Sequence, residues 1–224
     1  VQAVRWALQI ATGLRFVHDR GYMHRDIKPG NILVMDNFVA KVADLGAARE
    51  DLSKKFAVEL RGAGGGGGGL TRRRASLERT ELGERLLEEQ EENEGEQKLS
   101  VAGVSAEDLE DSLMTARVGT LLFMAPEMMR GGHYSKKVDV WSFGAMLSEL
   151  LTLRLPYPVD DLSMIRIMAD VAYERRRPYV PSEAEVPHPE LASLVEQCTR
   201  FRPEERPSFR EIQKRLKVVL DAIE

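Results

Sequence analysis

The sequence has little of what would indicate a secreted or membrane-embedded protein. Cys198 is the only cysteine, which excludes an internal disulfide framework and fits a reducing, intracellular compartment. No apolar run approaches the roughly 18 residues that a membrane-spanning helix requires. The chain begins at Val1 with neither a signal peptide nor an initiating methionine, so we expect a fragment of a longer protein. These absences predict no membrane partner and a packing role for Cys198.

Histidine and net charge are also scarce, and each scarcity limits the possible functions. Only four histidines occur and none lies at ligand spacing from His24, so a packed, hydrogen-bonded His24 is favoured over a metal ligand or general base. The net charge is −4, but residues 78–111 contain 13 acidic and 3 basic side chains, a local balance of −10 that leaves +6 elsewhere. That modest excess suits nucleotides and phosphorylated segments and does not indicate nucleic acid.

The sequence does contain enough apolar material for one good core. With 43% hydrophobic and 30% charged residues, its composition is typical of a soluble globular domain. Two β-prone runs, Ile32–Val34 and Ala40–Ala43, predict a small hairpin. Apolar spacing and proline-rich turns predict helices over residues 2–19, 139–151, 160–174, 189–200 and 208–223. The expected fold is therefore mainly α with one short β-hairpin.

Four polar side chains around this hairpin have the chemistry to transfer a phosphoryl group. The loop before it reads His24-Arg25-Asp26-Ile27-Lys28-Pro29-Gly30-Asn31, and Asp44-Leu45-Gly46 begins thirteen residues after Asn31. Asp26 can accept a hydroxyl proton, and Lys28 can neutralise a phosphate. Asn31 and Asp44 offer the oxygen ligands that Mg²⁺ prefers, and the hairpin is expected to bring them together.

These motifs resemble the H-R-D-x-K-x-x-N catalytic loop and the D-F-G motif of eukaryotic protein kinases, with Leu45 in place of the phenylalanine. Ala125-Pro126-Glu127 resembles the A-P-E motif of that family. Trp-Ser-Phe-Gly at 141–144 and Arg-Pro-Ser-Phe at 206–209 are most similar to the tyrosine-kinase-like group of serine/threonine kinases. The resemblance implies the C-terminal lobe of a kinase, ATP and Mg²⁺ as cofactors, and a protein substrate phosphorylated on serine or threonine.

The resemblance also implies roles for residues near the reacting groups. Asp26 is expected to deprotonate the substrate hydroxyl while Lys28 stabilises the developing charge. Thr120 is expected to bond both side chains and to position the incoming hydroxyl. Arg25 is expected to pair with a phosphate on the activation segment. Leu33 is expected to lie beneath the adenine ring, and it can at the same time be an ordinary core residue.

A second set of residues is expected to hold the lobe together. By resemblance, His24 braces the catalytic loop and Asp139 accepts hydrogen bonds from backbone amides of that loop. Glu127 and Arg206 are expected to form a buried bidentate ion pair. We predict that these residues act on stability and geometry and do not take part in the chemistry.

The interval between Gly46 and Ala125 holds 78 residues, far more than an ordinary activation segment. We predict a disordered, low-complexity insert over residues 51–111, between kinase-lobe segments 1–50 and 112–224. Within it, only a transient helix is expected across Leu77–Gln97. A phosphate-cradling G-x-G-x-x-G formed by glycines 62, 64 and 67 is rejected, because a glycine homopolymer satisfies any glycine pattern.

The insert also contains a candidate phosphorylation site. Arg72-Arg73-Arg74-Ala75-Ser76-Leu77 resembles the preferred substrate of arginine-directed kinases, so Ser76 could be modified by an upstream kinase of that type. A solvated basic run in a linker is the alternative. Ser105, Ser112 and Thr115 are further candidate activating sites, with nothing in the sequence to choose among them.

The parts of a kinase that cover the ATP phosphates are not recognisable in the chain. No glycine-rich strand-loop-strand, strand lysine or partner glutamate helix is found, so we expect the N-terminal lobe to be absent. The isolated chain is then expected to bind ATP weakly and transfer phosphate poorly, and the parent protein to be active. A pseudokinase or scaffold lobe is the alternative function, against which the four intact side chains argue. A further alternative is that part of the insert is a mistranslated intron.

Overall fold

A computed structural model of the chain describes residues 1–51, 118–131, 134–157, 164–173 and 175–224. These residues belong to one unit, formed by residues 1–54 together with 115–224. The predicted insert beyond Asp51, the helix predicted across Leu77–Gln97 and the candidate sites Ser76, Ser105, Ser112 and Thr115 lie outside the described residues. In chain order the main elements are α1 (Gln2–Asp19), β1 (Tyr22–Met23), β2 (Ile32–Val34), β3 (Ala40–Val42), β4 (Arg49–Glu50), α2 (Val118–Leu121), α3 (Pro126–Met129), α4 (Lys137–Thr152), α5 (Met164–Tyr173), α6 (Pro189–Cys198) and α7 (Phe209–Ile223).

Helix α1 confirms the first helical prediction and leads directly toward the catalytic loop. Its apolar face is buried through Val4, Ile10 and Leu14, which recur at helical spacing and pack in the core cluster. The helix ends at Asp19, and Gly21 follows with φ +84°, a left-handed conformation that glycine adopts without steric cost. This turn reverses the chain into β1, from which the catalytic loop starts.

Helix α4 is the buried central helix predicted from its apolar composition. Eleven of its residues are buried, including Trp141 and Phe143, so the helix has core on all sides along its first three turns. The Phe143 ring meets that of Phe209 on α7 edge-on, with centroids 5.5 Å apart. Asp139 lies in the first turn of this helix, and the surrounding core therefore fixes its position.

Gly144 marks the closest approach of α4 to α6. A Cβ at this position would lie 2.6 Å from Cys198 Cβ and 2.9 Å from Thr199 Cγ2. Gly144→Ala is therefore expected to destabilise the fold by about 1–3 kcal/mol through overpacking. Urea unfolding of the purified chain measures this loss. Gly13→Ala in α1 is the matched helical control, because its Cβ would approach only Val42 Cγ2, at 3.3 Å. Equal losses in the two variants would contradict the overpacking explanation.

The predicted hairpin is present, and a second strand pair accompanies it. Strands β2 and β3 pair antiparallel in the register Ile32↔Val42. Strands β1 and β4 also pair antiparallel, a pairing too short to be visible in the sequence. Asp51 continues this pair: it is buried, and its N–H donates to the Gly21 carbonyl at 2.7 Å. Asp51, the first residue of the predicted insert, is thus bonded to the turn that follows α1.

The C-terminal helices follow the predicted pattern within the residues that the structure describes. The predictions over 160–174, 189–200 and 208–223 correspond to α5, α6 and α7. Helix α7 begins with a capping box in which Ser208 and Glu211 exchange side-chain and backbone hydrogen bonds. The Ser208 amide bond lowers the pKa of Glu211. Cys198 is fully buried on α6, as predicted, and burial raises the pKa of its thiol to about 12.

Candidate active site

The catalytic loop folds so that two of the predicted residues, Lys28 and Asn31, donate hydrogen bonds to the carboxylate of a third, Asp26. Lys28 Nζ donates to Asp26 Oδ2 at 2.8 Å, and Asn31 Nδ2 donates to the same oxygen at 2.8 Å. Asn31 Nδ2 also donates to the backbone carbonyl of Asp26 at 2.7 Å. A short 3₁₀ turn over Pro29–Asn31 makes this possible, because it brings Asn31 back beneath Asp26.

The second oxygen of the Asp26 carboxylate has a different environment. Asp26 Oδ1 is buried and has no hydrogen-bond partner among the described residues. A buried acceptor without a donor is costly, and in native structures such an atom has a catalytic role, stores strain or bonds a water or ion. Because Lys28 and Asn31 fix Oδ2, the carboxylate is held with Oδ1 available to accept a proton from a hydroxyl group.

Thr120 joins this cluster through Lys28. The Lys28 ammonium donates to Thr120 Oγ1 at 2.6 Å, linking α2 to the catalytic loop. The resemblance implied that Thr120 bonds both Asp26 and Lys28. Within the described part of the chain, the contact with Lys28 is present, and Asp26 is reached only through that ammonium.

Asn31 and Asp44 occupy adjoining positions at the open end of the hairpin. The Ala43 N–H donates to the Asn31 carbonyl at 2.9 Å, which extends the β2–β3 pairing and places Asp44 one residue beyond it. Asp44 has φ 58°, and its Oδ1 accepts the Gly46 N–H at 3.2 Å. An aspartate tolerates this left-handed conformation because its short side chain can bond the nearby backbone.

The donor set of these two residues fits Mg²⁺. Since Asn31 Nδ2 is committed to Asp26, its amide oxygen remains free to coordinate. The Asp44 side chain is exposed and has a second carboxylate oxygen that accepts no hydrogen bond from the described residues. Mg²⁺ is usually held by one or two such oxygens together with substrate phosphates and water. The same described residues contain no cluster of three or more histidine, cysteine or acidic side chains for a metal.

The Asp139 side chain holds the catalytic loop in place by accepting hydrogen bonds from its backbone. Its Oδ2 accepts the His24 N–H at 2.7 Å, and its Oδ1 accepts the Arg25 N–H at 2.8 Å. His18 donates through Nε2 to Oδ2 at 2.7 Å, so the buried carboxylate is satisfied on three sides. His24 in turn donates through Nε2 to the Ala43 carbonyl at 3.0 Å. These bonds tie the loop to α4 and to the segment that presents Asp44.

Sequence reasoning missed His18 in this network. It lies in the last turn of α1 and is almost fully buried, and its ring packs edge-on against Phe209 at 4.8 Å. The available signal was its place on the buried side of a helix that leads into the loop. That signal could not identify its partner, because Asp139 lies 121 residues away.

Arg25 has a strained backbone conformation and a side chain whose hydrogen bonding within the described residues is incomplete. Its φ is 73°, unusual for a residue with a side chain, and the bond from its N–H to Asp139 holds it there. Its Nε is buried without a hydrogen-bond partner in the described ranges, and its guanidinium lies 5.4 Å from the ring centroid of Tyr134. The predicted phosphate partner falls on the segment that the structure does not describe.

The structure contains the ion pair expected between Glu127 and Arg206. Arg206 Nη1 and Nη2 donate to the two carboxylate oxygens of Glu127 at 2.5 and 2.8 Å, and Arg206 is 1% exposed. The guanidinium also donates to the carbonyls of Arg200, Lys137 and Phe201. The pair therefore joins α3 to the segment before α7.

Two apolar positions of the site are more exposed than a core residue would be. Leu33 is 53% exposed and Leu45 is 57% exposed, both at the open end of the hairpin. The interpretation of Leu33 as a core residue is therefore wrong, because β2 belongs to a sheet of two strands and the Leu33 side chain is about half exposed there. An exposed apolar side chain beside Asn31 and Asp44 is available to contact a flat ring.

Comparison with known proteins gives a consistent result. The family profile described as "Protein kinase domain" matches residues 1–62 and 86–216. The serine/threonine-protein kinase STY17 of Arabidopsis thaliana is 28% identical over 206 residues, 92% of this chain and 25% of the relative. A protein of Drosophila melanogaster described as mitogen-activated protein kinase kinase kinase 7-like is 30% identical over 218 residues, 95% of this chain and 40% of the relative. The chain thus spans well under half the length of these relatives.

No helix in the described ranges is both long and apolar enough to cross a membrane.

Proposed function

The chain belongs to the protein kinase domain family, and we propose that it supplies the catalytic residues of an ATP-dependent serine/threonine kinase. The observation that carries this proposal is the buried, unpartnered Oδ1 of Asp26, held in place by Lys28 and Asn31. A scaffold lobe has no need for a desolvated acceptor, because an unsatisfied buried oxygen costs about 1–3 kcal/mol. A phosphate-accepting hydroxyl would satisfy it.

The described side chains can each be given a separate role in the reaction. Asp26 orients the substrate hydroxyl through Oδ1 and accepts its proton as the oxygen attacks the γ-phosphorus of ATP, and the bond from that phosphorus to the bridging oxygen breaks to release ADP. Lys28, bridging Asp26 and Thr120, presents a positive charge where negative charge develops. Asn31 and Asp44 would hold Mg²⁺, which neutralises the phosphate charges when bound. Thr120 ties the activation segment to this centre and so positions a serine or threonine.

We further propose that these residues act within a C-terminal lobe that requires an N-terminal lobe for activity. The described residues contain two sheets of two strands each and no glycine-rich hairpin. Leu33 and Leu45, exposed beside the site, would form part of the surface that an adenine ring contacts. Membership of the tyrosine-kinase-like group and an intracellular location are proposed with it, the latter supported by the free thiol of Cys198.

The substrate of this activity is proposed to be a protein. Phosphorylation of Ser76 by an arginine-directed kinase remains a proposal that rests on the arginines at 72–74. Because Arg25 has a buried nitrogen without a partner, a phosphate on the activation segment is the group that would satisfy it.

A phosphotransfer assay tests the proposed function. Residues 1–224 alone are expected to give background transfer from labelled ATP with Mg²⁺. The same chain, translated together with the coding sequence upstream of Val1, is expected to label serine and threonine peptides and not tyrosine peptides. Transfer from neither protein to any peptide would favour the scaffold alternative. Strong activity of the 224 residues alone would contradict the requirement for an N-terminal lobe.

A further inference from the structure

A cavity on the side of the lobe formed by α1, α4 and α7 has four lysine and arginine side chains among the nine residues that line it. Its volume is about 200 Å³. That is below the range of about 300–1,000 Å³ typical of sites for drug-sized molecules, and it is room for a small ion or a single head group. We call this site the basic cavity, and its polar lining consists of Arg15, His18, Asp19, Lys136, Lys137 and Arg210 with Ser208 at one edge.

The charge of this lining favours an anion. Two arginine and two lysine side chains face one carboxylate, that of Asp19, which Arg15 Nε reaches at 3.2 Å and Arg210 Nη2 at 3.5 Å. The nearby carboxylates outside the lining have partners of their own: Glu211 caps Ser208, and Asp139 holds the loop amides. The N-terminus of α7 adds a partial positive charge at the cavity edge.

Two of these cations make few hydrogen bonds or ion pairs with the described residues. Within the described part of the chain, Lys136 makes one long contact, 3.5 Å from Nζ to the His18 carbonyl, and Arg210 has a side chain that is 71% exposed and contacts only Asp19. Lys137 is half-buried and donates to the Arg206 carbonyl, and burial lowers its pKa. Cations gathered in a cavity with too few acceptors repel one another, and a doubly charged oxyanion would offset this repulsion.

We propose that the basic cavity binds a phosphate group, either inorganic phosphate or a phosphoryl group carried on a peptide side chain. The charge excess matches a dianion, and phosphate oxygens can accept hydrogen bonds from the exposed guanidinium of Arg210, whereas Arg15 already donates through Nε to Asp19 and through Nη1 to Gln213. The site is separate from the catalytic centre, since none of its lining residues belongs to the cluster around Asp26.

The cavity is connected to the catalytic loop through one side chain. His18 lines the cavity and donates to Asp139, whose two oxygens accept the amides of His24 and Arg25. A phosphate beside His18 would hold this ring in place and thereby restrict the opening of the loop. Occupancy of the cavity is therefore expected to protect the His24 and Arg25 amides from hydrogen exchange.

Calorimetric titration of the 224-residue chain with inorganic phosphate, at ionic strength held constant with NaCl, tests the binding site. Saturable binding is expected, and Lys136→Gln with Arg210→Gln is expected to weaken it roughly tenfold or more. The control is Arg202→Gln with Lys217→Gln, which removes the same charge from exposed positions outside the cavity and is expected to bind as the unaltered chain does. Circular dichroism verifies folding, and Arg210→Gln alone replaces the double variant if that fails to fold.

The outcomes separate the alternatives. Binding that is equal in the cavity and control variants, or that NaCl alone reproduces, would overturn the proposal. A phosphoserine peptide that binds more tightly than inorganic phosphate identifies a protein-borne phosphoryl group, and equal affinity identifies the free ion; both support the site. Phosphate binding that leaves exchange of the His24 and Arg25 amides unchanged would reject the connection to the loop. None of these measurements depends on phosphotransfer activity.

Discussion

Asp26→Asn is expected to lower phosphotransfer turnover by roughly 10²- to 10⁴-fold, the usual loss when a positioned general base is removed. The two donors at Oδ2, from Lys28 and Asn31, will keep the amide oxygen of the new asparagine on their side. Its NH₂ group then takes the place of Oδ1 and presents a donor to the substrate hydroxyl, where an acceptor is needed. The measurement is the steady-state rate in whichever form of the protein is active in the assay above.

This variant has a matched control and a clear contrary result. Asp36→Asn changes the same functional group at an exposed position on the β2–β3 turn and is expected to leave turnover unchanged. The affinity for ATP is expected to stay within a few-fold in both variants, because Asp44 and Asn31 remain. Turnover in Asp26→Asn equal to that in Asp36→Asn would remove Asp26 from the chemistry and with it the proposed mechanism.

Arg206→Ala is expected to lower the free energy of unfolding by about 3–5 kcal/mol, because it leaves the buried Glu127 carboxylate without its partner. For a chain of this size, the corresponding fall in Tm is roughly 6–20 °C. Three backbone carbonyls, of Arg200, Lys137 and Phe201, lose their donor at the same time. Thermal unfolding followed by circular dichroism measures the loss.

Two further variants show whether the buried pair is the cause. Arg202→Ala removes an arginine whose side chain is 75% exposed and, among the described residues, forms an ion pair only with Glu205, and it is expected to cost under about 0.5 kcal/mol. Combining Arg206→Met with Glu127→Leu removes both charges and is expected to recover part of the loss. An unchanged Tm in Arg206→Ala would show that the ion pair contributes nothing to stability.

Helix and hairpin predictions succeeded where local pattern and burial agree. The apolar face of α1 and the short β-prone runs of β2 and β3 were readable from neighbouring residues, and both lie close to their predicted bounds. The β1–β4 pair was missed because two-residue strands carry no periodic signal. The exposure of Leu33 was left open by the sequence, since an apolar residue in an edge strand can face either core or solvent.

By itself the sequence determined which chemical groups this protein has and in what order. The carboxylate, lysine and amide within one loop, followed by a second carboxylate, indicate phosphoryl transfer because their spacing is short enough for local structure to bring them together. Only the tertiary structure decided the contacts between residues far apart in the chain. It set Lys28 against Thr120, His18 against Asp139 and Arg206 against Glu127, because packing of the helices, and not local conformation, determines which distant side chains meet.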